Sequence, residues 1–107
     1  ESLGQRLKNL GYTVTDICTT GKEALDSIEE KRPDLMLVDI ILQGDMDGIE
    51  TVEKINADIP VIYLTAYVDK ETLDRAKKTR PAAYLVKPFK EQDLKTNIEI
   101  ALYKRRN

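Results

Sequence analysis

The run Leu35-Met36-Leu37-Val38 is the feature that most constrains the fold of this 107-residue chain. Its four apolar residues do not alternate with polar ones, and Asp39 follows directly. An uninterrupted apolar run of this length is typical of a strand buried on both faces, as in a parallel sheet that helices cover. Because such a strand does not keep a charge inside its core, we expect Asp39 to lie at its carboxyl end. In open α/β sheets, ligands bind along that edge.

Two more apolar runs, over residues 61–64 and 82–86, predict buried strands of the same sheet. Residues 12–18 are rich in β-branched side chains but carry polar ones too, which predicts a strand nearer the sheet edge. Helical spacing and capping residues predict helices between the strands. The first predicted helix covers residues 2–10. The second begins at the Thr20/Glu23 capping box and ends before Pro33, and the third begins at the Asp47/Glu50 pair and runs through Ile55. The last two cover residues 70–79 and about 90–105. This alternation predicts a parallel sheet with right-handed crossovers and helices on both faces.

Three of the predicted strands end in functional side chains, Asp39, Thr65 and Lys87. Each is one crossover from the next, so the three side chains should converge at one edge of the sheet. The set suits phosphoryl transfer to the Asp39 carboxylate, because that reaction depends on positioning and electrostatic stabilisation. Lys87 would hold the phosphoryl oxygens, Thr65 would donate a hydrogen bond to one of them, and Mg²⁺ would neutralise the remaining charge. Asp39 alone would more often be a turn or cap residue, and Thr65 or Lys87 alone is nearly uninformative, so the combination carries the prediction.

The composition excludes several other functions. The absence of histidine excludes a Cys/His metal site and a Ser-His-Asp triad, and a single cysteine excludes an intrachain disulfide. A net charge of −2 gives no support for a general nucleic-acid surface. No apolar segment approaches the roughly 18 residues of a membrane span. We therefore expect a cytoplasmic domain that contacts neither nucleic acid nor membrane directly.

Six short segments resemble the response-regulator receiver domain of two-component signalling. They are residues 11–14 (GYTV), 21–25 (GKEAL), 33–40 (PDLMLVDI), 46–50 (MDGIE), 60–66 (PVIYLTA) and 84–89 (YLVKPF). The resemblance implies an α/β fold, a flavodoxin-like doubly wound parallel sheet in the order 2-1-3-4-5 with helices on both faces. It also implies that Asp39 is the phospho-acceptor and that Thr65 and Lys87 bind the phosphate.

Further roles are implied by the resemblance alone. Tyr84 falls at the aromatic switch position of the family and would act with Thr65, and the peptide bond before Pro88 would be cis. Mg²⁺ would be held by Asp39, by the backbone carbonyl of Ile41 and by an acidic pair on the first strand of the family. The sequence starts within the family's first helix, and the loop after Asp39 is one residue longer than the commonest pattern. We therefore expect residues 1–107 to form a single receiver domain that is N-terminally incomplete.

The resemblance implies a phosphorelay receiver that is not itself an enzyme. Its donor would be a phosphohistidine of a histidine kinase or phosphotransfer domain, and phosphorylation would switch a protein-interaction face. The alternative is a pseudo-receiver, a protein-binding module that is not phosphorylated. A small α/β enzyme or flavin binder is disfavoured, because Gly44 and Gly48 flank an acidic stretch that repels phosphate. The sequence leaves open a homodimer through the last two helices. It also leaves open whether the module stands alone, precedes a DNA-binding domain or belongs to a hybrid histidine kinase.

Overall fold

The computed structural model describes residues 2–66 and 69–106, which form five helices and three strands. The helices are α1 (Leu3–Asn9), α2 (Gly21–Glu30), α3 (Gly48–Glu53), α4 (Lys70–Lys78) and α5 (Glu91–Arg106). The strands are β1 (Met36–Asp39), β2 (Val61–Thr65) and β3 (Ala83–Val86). Helices and strands alternate from β1 onward, so the α/β class predicted from the apolar runs is confirmed. Within the described ranges, none of these helices is both long and apolar enough to cross a membrane.

The three strands form one parallel sheet in the order β1-β2-β3. The central strand β2 is buried along its whole length, as its uninterrupted apolar sequence predicted. Asp39 pairs with Leu64, and Thr65 pairs with Val86. These three strands correspond to the last three of the predicted order 2-1-3-4-5, and their register places Asp39, Thr65 and Lys87 at the same carboxyl edge.

The strand predicted over residues 12–18 is not formed, and that prediction is wrong for the described structure. The sheet-like contact nearest to it is an isolated bridge between Thr20 and Gln43. Local contacts take up some polar groups of this segment. The amide of Tyr12 donates to Leu7 O at 3.0 Å, and the amide of Ile17 donates to the Asp16 carboxylate at 2.8 Å. A strand requires a neighbouring backbone, and the described residues place none alongside this segment.

Capping residues set the start of the helices, as predicted. The Thr20/Glu23 and Asp47/Glu50 pairs both form complete capping boxes, in which side chain and backbone amide bond reciprocally. The predicted extension of the third helix through Ile55 is wrong, because α3 ends at Glu53. The chain tightens there into turns, and the amide of Ile55 donates to Val52 O at 3.1 Å.

The core lies on both faces of the sheet because alternate residues of β2 point to opposite sides. One cluster contains the buried residues Val38, Ile40, Ile49, Val61, Tyr63 and Ala76, which join the sheet to α3 and α4. The other contains Ile62, Leu64, Leu85, Leu94, Ile98 and Ala101, which join it to α5. Leu3 and Leu7 of α1 pack on this second cluster. Helices therefore cover both faces, as predicted.

Candidate functional site

An ion pair joins the ends of β1 and β3. Nζ of Lys87 lies 2.7 Å from Oδ2 of Asp39, which is the length of a strong charge-assisted hydrogen bond. The two side chains are 41% and 38% exposed, so the pair is accessible from solvent. The backbone supports this arrangement, because the amide of Lys87 donates to Thr65 O at 2.7 Å. The structure thus brings together two of the three predicted side chains in direct contact.

The third predicted side chain, Thr65, lies at the same edge but is only 2% exposed. Tyr84 lies on the neighbouring strand β3, and its hydroxyl is buried without a hydrogen bond of ordinary geometry to a described residue. Burial raises the pKa of Tyr84, as does the negative charge of Asp69, while the nearby Thr65 side chain lowers it. The ring of Tyr84 packs edge-on against Tyr63 at a centroid distance of 6.3 Å. The aromatic residue is therefore turned toward the sheet, next to the buried threonine.

The amino end of α3 packs directly on the backbone that carries Asp39. Gly48 is buried there, and its amide donates to Ile40 O at 2.7 Å. A Cβ at this position would overlap the backbone oxygen of Asp39 and lie 2.9 Å from Cγ1 of Val38. Glycine at this position is therefore required by a close approach between two segments of backbone.

A second ion pair connects α4 to the amino end of α3. Nη2 of Arg75 lies 2.9 Å from Oδ2 of Asp47, while Oδ1 of Asp47 accepts from the Glu50 amide at 2.8 Å. The hydrogen bond from Arg75 to Asp47 raises the pKa of the Arg75 guanidinium, and the negative charge of Asp47 adds to the effect. The pair borders an open groove of about 380 Å³ between the loop over residues 40–47 and α4.

The predicted metal ligands Asp39 and Ile41 lie on either side of a tight turn. The amide of Ile41 donates to Oδ1 of Asp39 at 3.2 Å, and the Ile41 side chain is 77% exposed. Among residues 2–66 and 69–106, no three acidic side chains cluster as a ready-made metal site. The Asp39 carboxylate therefore presents one oxygen to Lys87 and the other to the loop.

Sequence reasoning missed the contacts that hold this site in place. The Lys87–Pro88 bond is cis, as the resemblance implies. The pairing of Arg75 with Asp47 was not predicted, because 28 residues separate them and no motif or spacing links the two. Gly48 had a visible signal, since a glycine lacks the Cβ that would block a close approach of backbone. That signal gives no indication of which backbone it approaches.

Known proteins resemble this chain in sequence. The family model of the response regulator receiver domain matches residues 1–99. The chain is 38% identical over 99 residues to the transcriptional regulatory protein ZraR of Escherichia coli, covering 90% of this chain and 22% of ZraR. It is 33% identical over 102 residues to the transcriptional regulatory protein PdtaR of Mycobacterium tuberculosis, covering 94% of this chain and 49% of PdtaR. The chain therefore spans less than half the length of these relatives.

Solved structures show the same likeness. One is the signal receiver domain of a modulated diguanylate cyclase from Desulfovibrio desulfuricans, with a TM-score of 0.90 and 40% identity over 97% of this chain and 84% of that one. Another is a CheY-like response regulator receiver domain protein from Methanospirillum hungatei, with a TM-score of 0.86 and 32% identity over 95% of this chain and 82% of that one. The chain belongs to the response regulator receiver domain family.

Proposed function

We propose that this receiver domain accepts a phosphoryl group on Asp39 and acts as a signalling module of a phosphorelay. Receiver domains interact with histidine kinases or phosphotransfer proteins, and they generally bind Mg²⁺ at the phosphorylation site. The observation that carries the assignment to Asp39 is the 2.7 Å contact from Lys87 Nζ to its carboxylate at the carboxyl edge of the sheet. An exposed carboxylate beside an ammonium suits an acceptor, because the ammonium stabilises the charge of an incoming phosphoryl group.

The transfer itself requires little covalent chemistry from the protein. A carboxylate oxygen of Asp39 forms a bond to phosphorus as the bond from phosphorus to the donor nitrogen breaks, and the donor imidazole leaves. Lys87 then holds phosphoryl oxygens in place of the carboxylate oxygen it now contacts. The donor is a phosphohistidine of another protein or domain, since this sequence contains no histidine.

The residues present at the edge are compatible with Mg²⁺. This ion is usually bound through one or two carboxylates and substrate phosphates, and it keeps several waters. The loop-facing oxygen of Asp39 and the backbone carbonyl of Ile41 are hard oxygen donors of the required kind. When bound, Mg²⁺ would neutralise negative charge on the phosphoryl oxygens. Asp39 and Ile41 would hold it.

Thr65 and Tyr84 form the proposed switch. Thr65 lies buried beside the Tyr84 hydroxyl, so a shift of Thr65 toward a phosphoryl group would change the space available to the tyrosine. This change biases an equilibrium between two arrangements of the face formed by α4, β3 and α5. A ring-proton NMR shift of Tyr84 on phosphorylation, absent in Asp39→Asn, tests this role.

The partner and the location of the module are proposed from its membership of the receiver family. Its partner is a histidine kinase or phosphotransfer domain in the cytoplasm, and the module is a phospho-acceptor, not an enzyme. DNA contacts and any output activity would belong to other domains, as in hybrid kinases or DNA-binding regulators. A homodimer through α4 and α5 remains a prediction that sedimentation measurements would test.

The decisive measurement is intact mass after incubation with Mg²⁺ and acetyl phosphate, a small phospho-donor. Residues 1–107 and a version extended upstream by one strand are both measured. The form that binds Mg²⁺ should gain the mass of one phosphoryl group, and Asp39→Asn of the same form should gain none. Asp45→Asn is the matched control, because it removes an exposed carboxylate from the same loop. A chelator should abolish the gain in mass if Mg²⁺ is required.

Two results would contradict the proposal. If Asp39→Asn is modified as readily as the unaltered chain, the acceptor lies elsewhere. If the version extended upstream by one strand also stays unmodified with acetyl phosphate and with a phosphorylated phosphotransfer domain, the pseudo-receiver alternative, a module that binds protein without phosphorylation, becomes the better description.

A further inference from the structure

We infer that Arg6 of α1 is a positioning residue for Lys87, and that it acts through Phe89. The guanidinium carbon of Arg6 lies 5.0 Å from the centre of the Phe89 ring. Its Nη2 also donates to the backbone oxygen of Phe89 at 3.4 Å. One side chain therefore contacts both the ring and the backbone of a residue two positions after Lys87. This inference rests on the proposed function of Lys87 at Asp39.

The described backbone hydrogen bonds of the segment from Lys87 to Lys90 lie at its two ends, so its middle depends on side-chain contacts. At one end, the Lys87 amide donates to Thr65 O, and at the other, Lys90 O accepts from the Leu94 amide at 3.1 Å in the first turn of α5. Pro88 between them is exposed and has no N–H to donate. Phe89 is thus the point at which side-chain contacts can fix the path of this segment.

The position of Arg6 is itself fixed by the core. Leu3 and Leu7 of α1 pack on the same apolar cluster as Phe89, so α1 cannot shift without disturbing that cluster. A planar guanidinium can lie over a ring and direct an N–H to a carbonyl at the same time, which an ammonium does less well. Arg6 is only partly exposed, so water weakens these contacts less than it would on an open surface.

The consequence for the site follows from the short distance at Asp39. The Lys87 ammonium contacts the carboxylate at 2.7 Å, so a small displacement of the Lys87–Phe89 segment changes that contact directly. Misplacement of a reacting group by about 1 Å costs up to roughly a hundredfold in rate. Because the lysine side chain is flexible, we expect a smaller effect, about a tenfold slower gain of the phosphoryl group when Arg6 is replaced.

The test compares Arg6→Gln with Lys8→Gln. Both residues lie in the last turn of α1, and both substitutions remove one positive charge there with little change in helix propensity. Two quantities are measured: the rate of phosphorylation by acetyl phosphate with Mg²⁺, and the NMR signal of the Lys87 side chain in the unphosphorylated protein, assigned by its loss in Lys87→Gln. Arg6→Gln should slow phosphorylation and shift the Lys87 signal, and Lys8→Gln should do neither.

An unchanged Lys87 signal in Arg6→Gln overturns the inference, as does an equal effect of Lys8→Gln. If Arg6→Gln does not fold, Arg6→Lys provides the same comparison, because it keeps the charge and removes the flat guanidinium. If the unaltered chain gains no phosphoryl group while Arg6→Gln still shifts the Lys87 signal, the proposed function fails and the positioning role of Arg6 stands.

Discussion

The replacement of Gly48 by alanine is the sharpest test of how the site is built. Gly48 begins α3, directly after the capping residue Asp47, and it is buried against β1. An added Cβ would overlap the backbone oxygen of Asp39, lie 3.0 Å from the Asp39 carbonyl carbon and 2.9 Å from Cγ1 of Val38. Two of these three atoms are backbone, so they cannot move aside by a change of rotamer. Either α3 or the end of β1 must shift.

The size of the effect follows from these contacts. Overpacking of a tight site costs about 1–3 kcal/mol. The shift also lengthens the 2.7 Å hydrogen bond from the Gly48 amide to Ile40 O, which contributes about 1 kcal/mol. The better helix propensity of alanine returns at most about 1 kcal/mol. We therefore expect Gly48→Ala to lower the free energy of unfolding by about 2 kcal/mol.

Gly4→Ala is the matched control, since Gly4 also lies within the first turn of a helix. Its added Cβ would meet only the end of the Ile17 side chain, which is 70% exposed and can move. Gly4→Ala should therefore leave stability unchanged or raise it by up to about 1 kcal/mol. Urea unfolding followed by circular dichroism measures both variants, with the midpoint compared at an unchanged slope.

The opposite signs expected for the two variants make the outcome clear. If Gly48→Ala is as stable as Gly4→Ala, the close approach to Asp39 does not constrain α3, and the reasoning from the added Cβ is refuted. A stable Gly48→Ala protein that also accepts a phosphoryl group at the unaltered rate would further show that α3 does not fix the backbone of Asp39.

Three more predictions concern polar contacts outside the Asp39–Lys87 pair. Alanine at Arg75 and at Asp47, singly and together, should give a coupling energy of about 0.5–1 kcal/mol in a double-mutant cycle by urea unfolding, because the two side chains are 41% and 30% exposed. The coupling should fall in high salt. Tyr63→Phe should cost about 1 kcal/mol in the same assay, since it removes a buried hydroxyl 2.7 Å from Thr79 Oγ1. Burial and a hydrogen bond to the Glu99 carboxylate of α5 raise the pKa of Tyr12 from 10.0 to about 12. The contribution of Tyr12 to the free energy of unfolding is therefore complete below pH 10.0 and is lost as the pH rises to about 12. Tyr12→Phe should flatten that part of the curve of stability against pH.

The sequence predicted the elements whose signals are local. The three apolar runs became β1, β2 and β3 because side chains buried on both faces leave no alternation. The capping boxes at Thr20 and Asp47 fixed the start of α2 and α3 because cap and helix lie within three residues of each other. The prediction of a strand over residues 12–18 was wrong because β-propensity describes only how well side chains suit a sheet. It gives no indication of whether a backbone partner lies alongside.

The contacts of the candidate site also differ in whether the sequence could predict them. The contact of Asp39 with Lys87 was predictable, because both residues follow buried strands whose carboxyl ends meet at one edge. The contacts that hold the edge depend on tertiary packing, as between Arg6 and Phe89, which are 83 residues apart. No periodicity or motif marks an arginine that lies over a ring on another element. Sequence reasoning therefore predicted the contact between Asp39 and Lys87 and missed the contacts around it.

These arginine contacts have a mechanical consequence for signalling. Arg6 connects α1 to the segment that carries Lys87 through its contacts with Phe89. Arg75 connects α4 to Asp47 at the amino end of α3, and this end of α3 packs on the backbone of Asp39. Under the proposed function, phosphorylation of Asp39 would add negative charge between these two contacts and would draw Lys87 from the carboxylate to the phosphoryl oxygens. The contact of Arg6 would then resist movement of Lys87 through α1, and the contact of Arg75 would resist movement of the Asp39 backbone through α3 and α4. The change in charge at Asp39 would therefore act on helices that carry none of the proposed reacting groups.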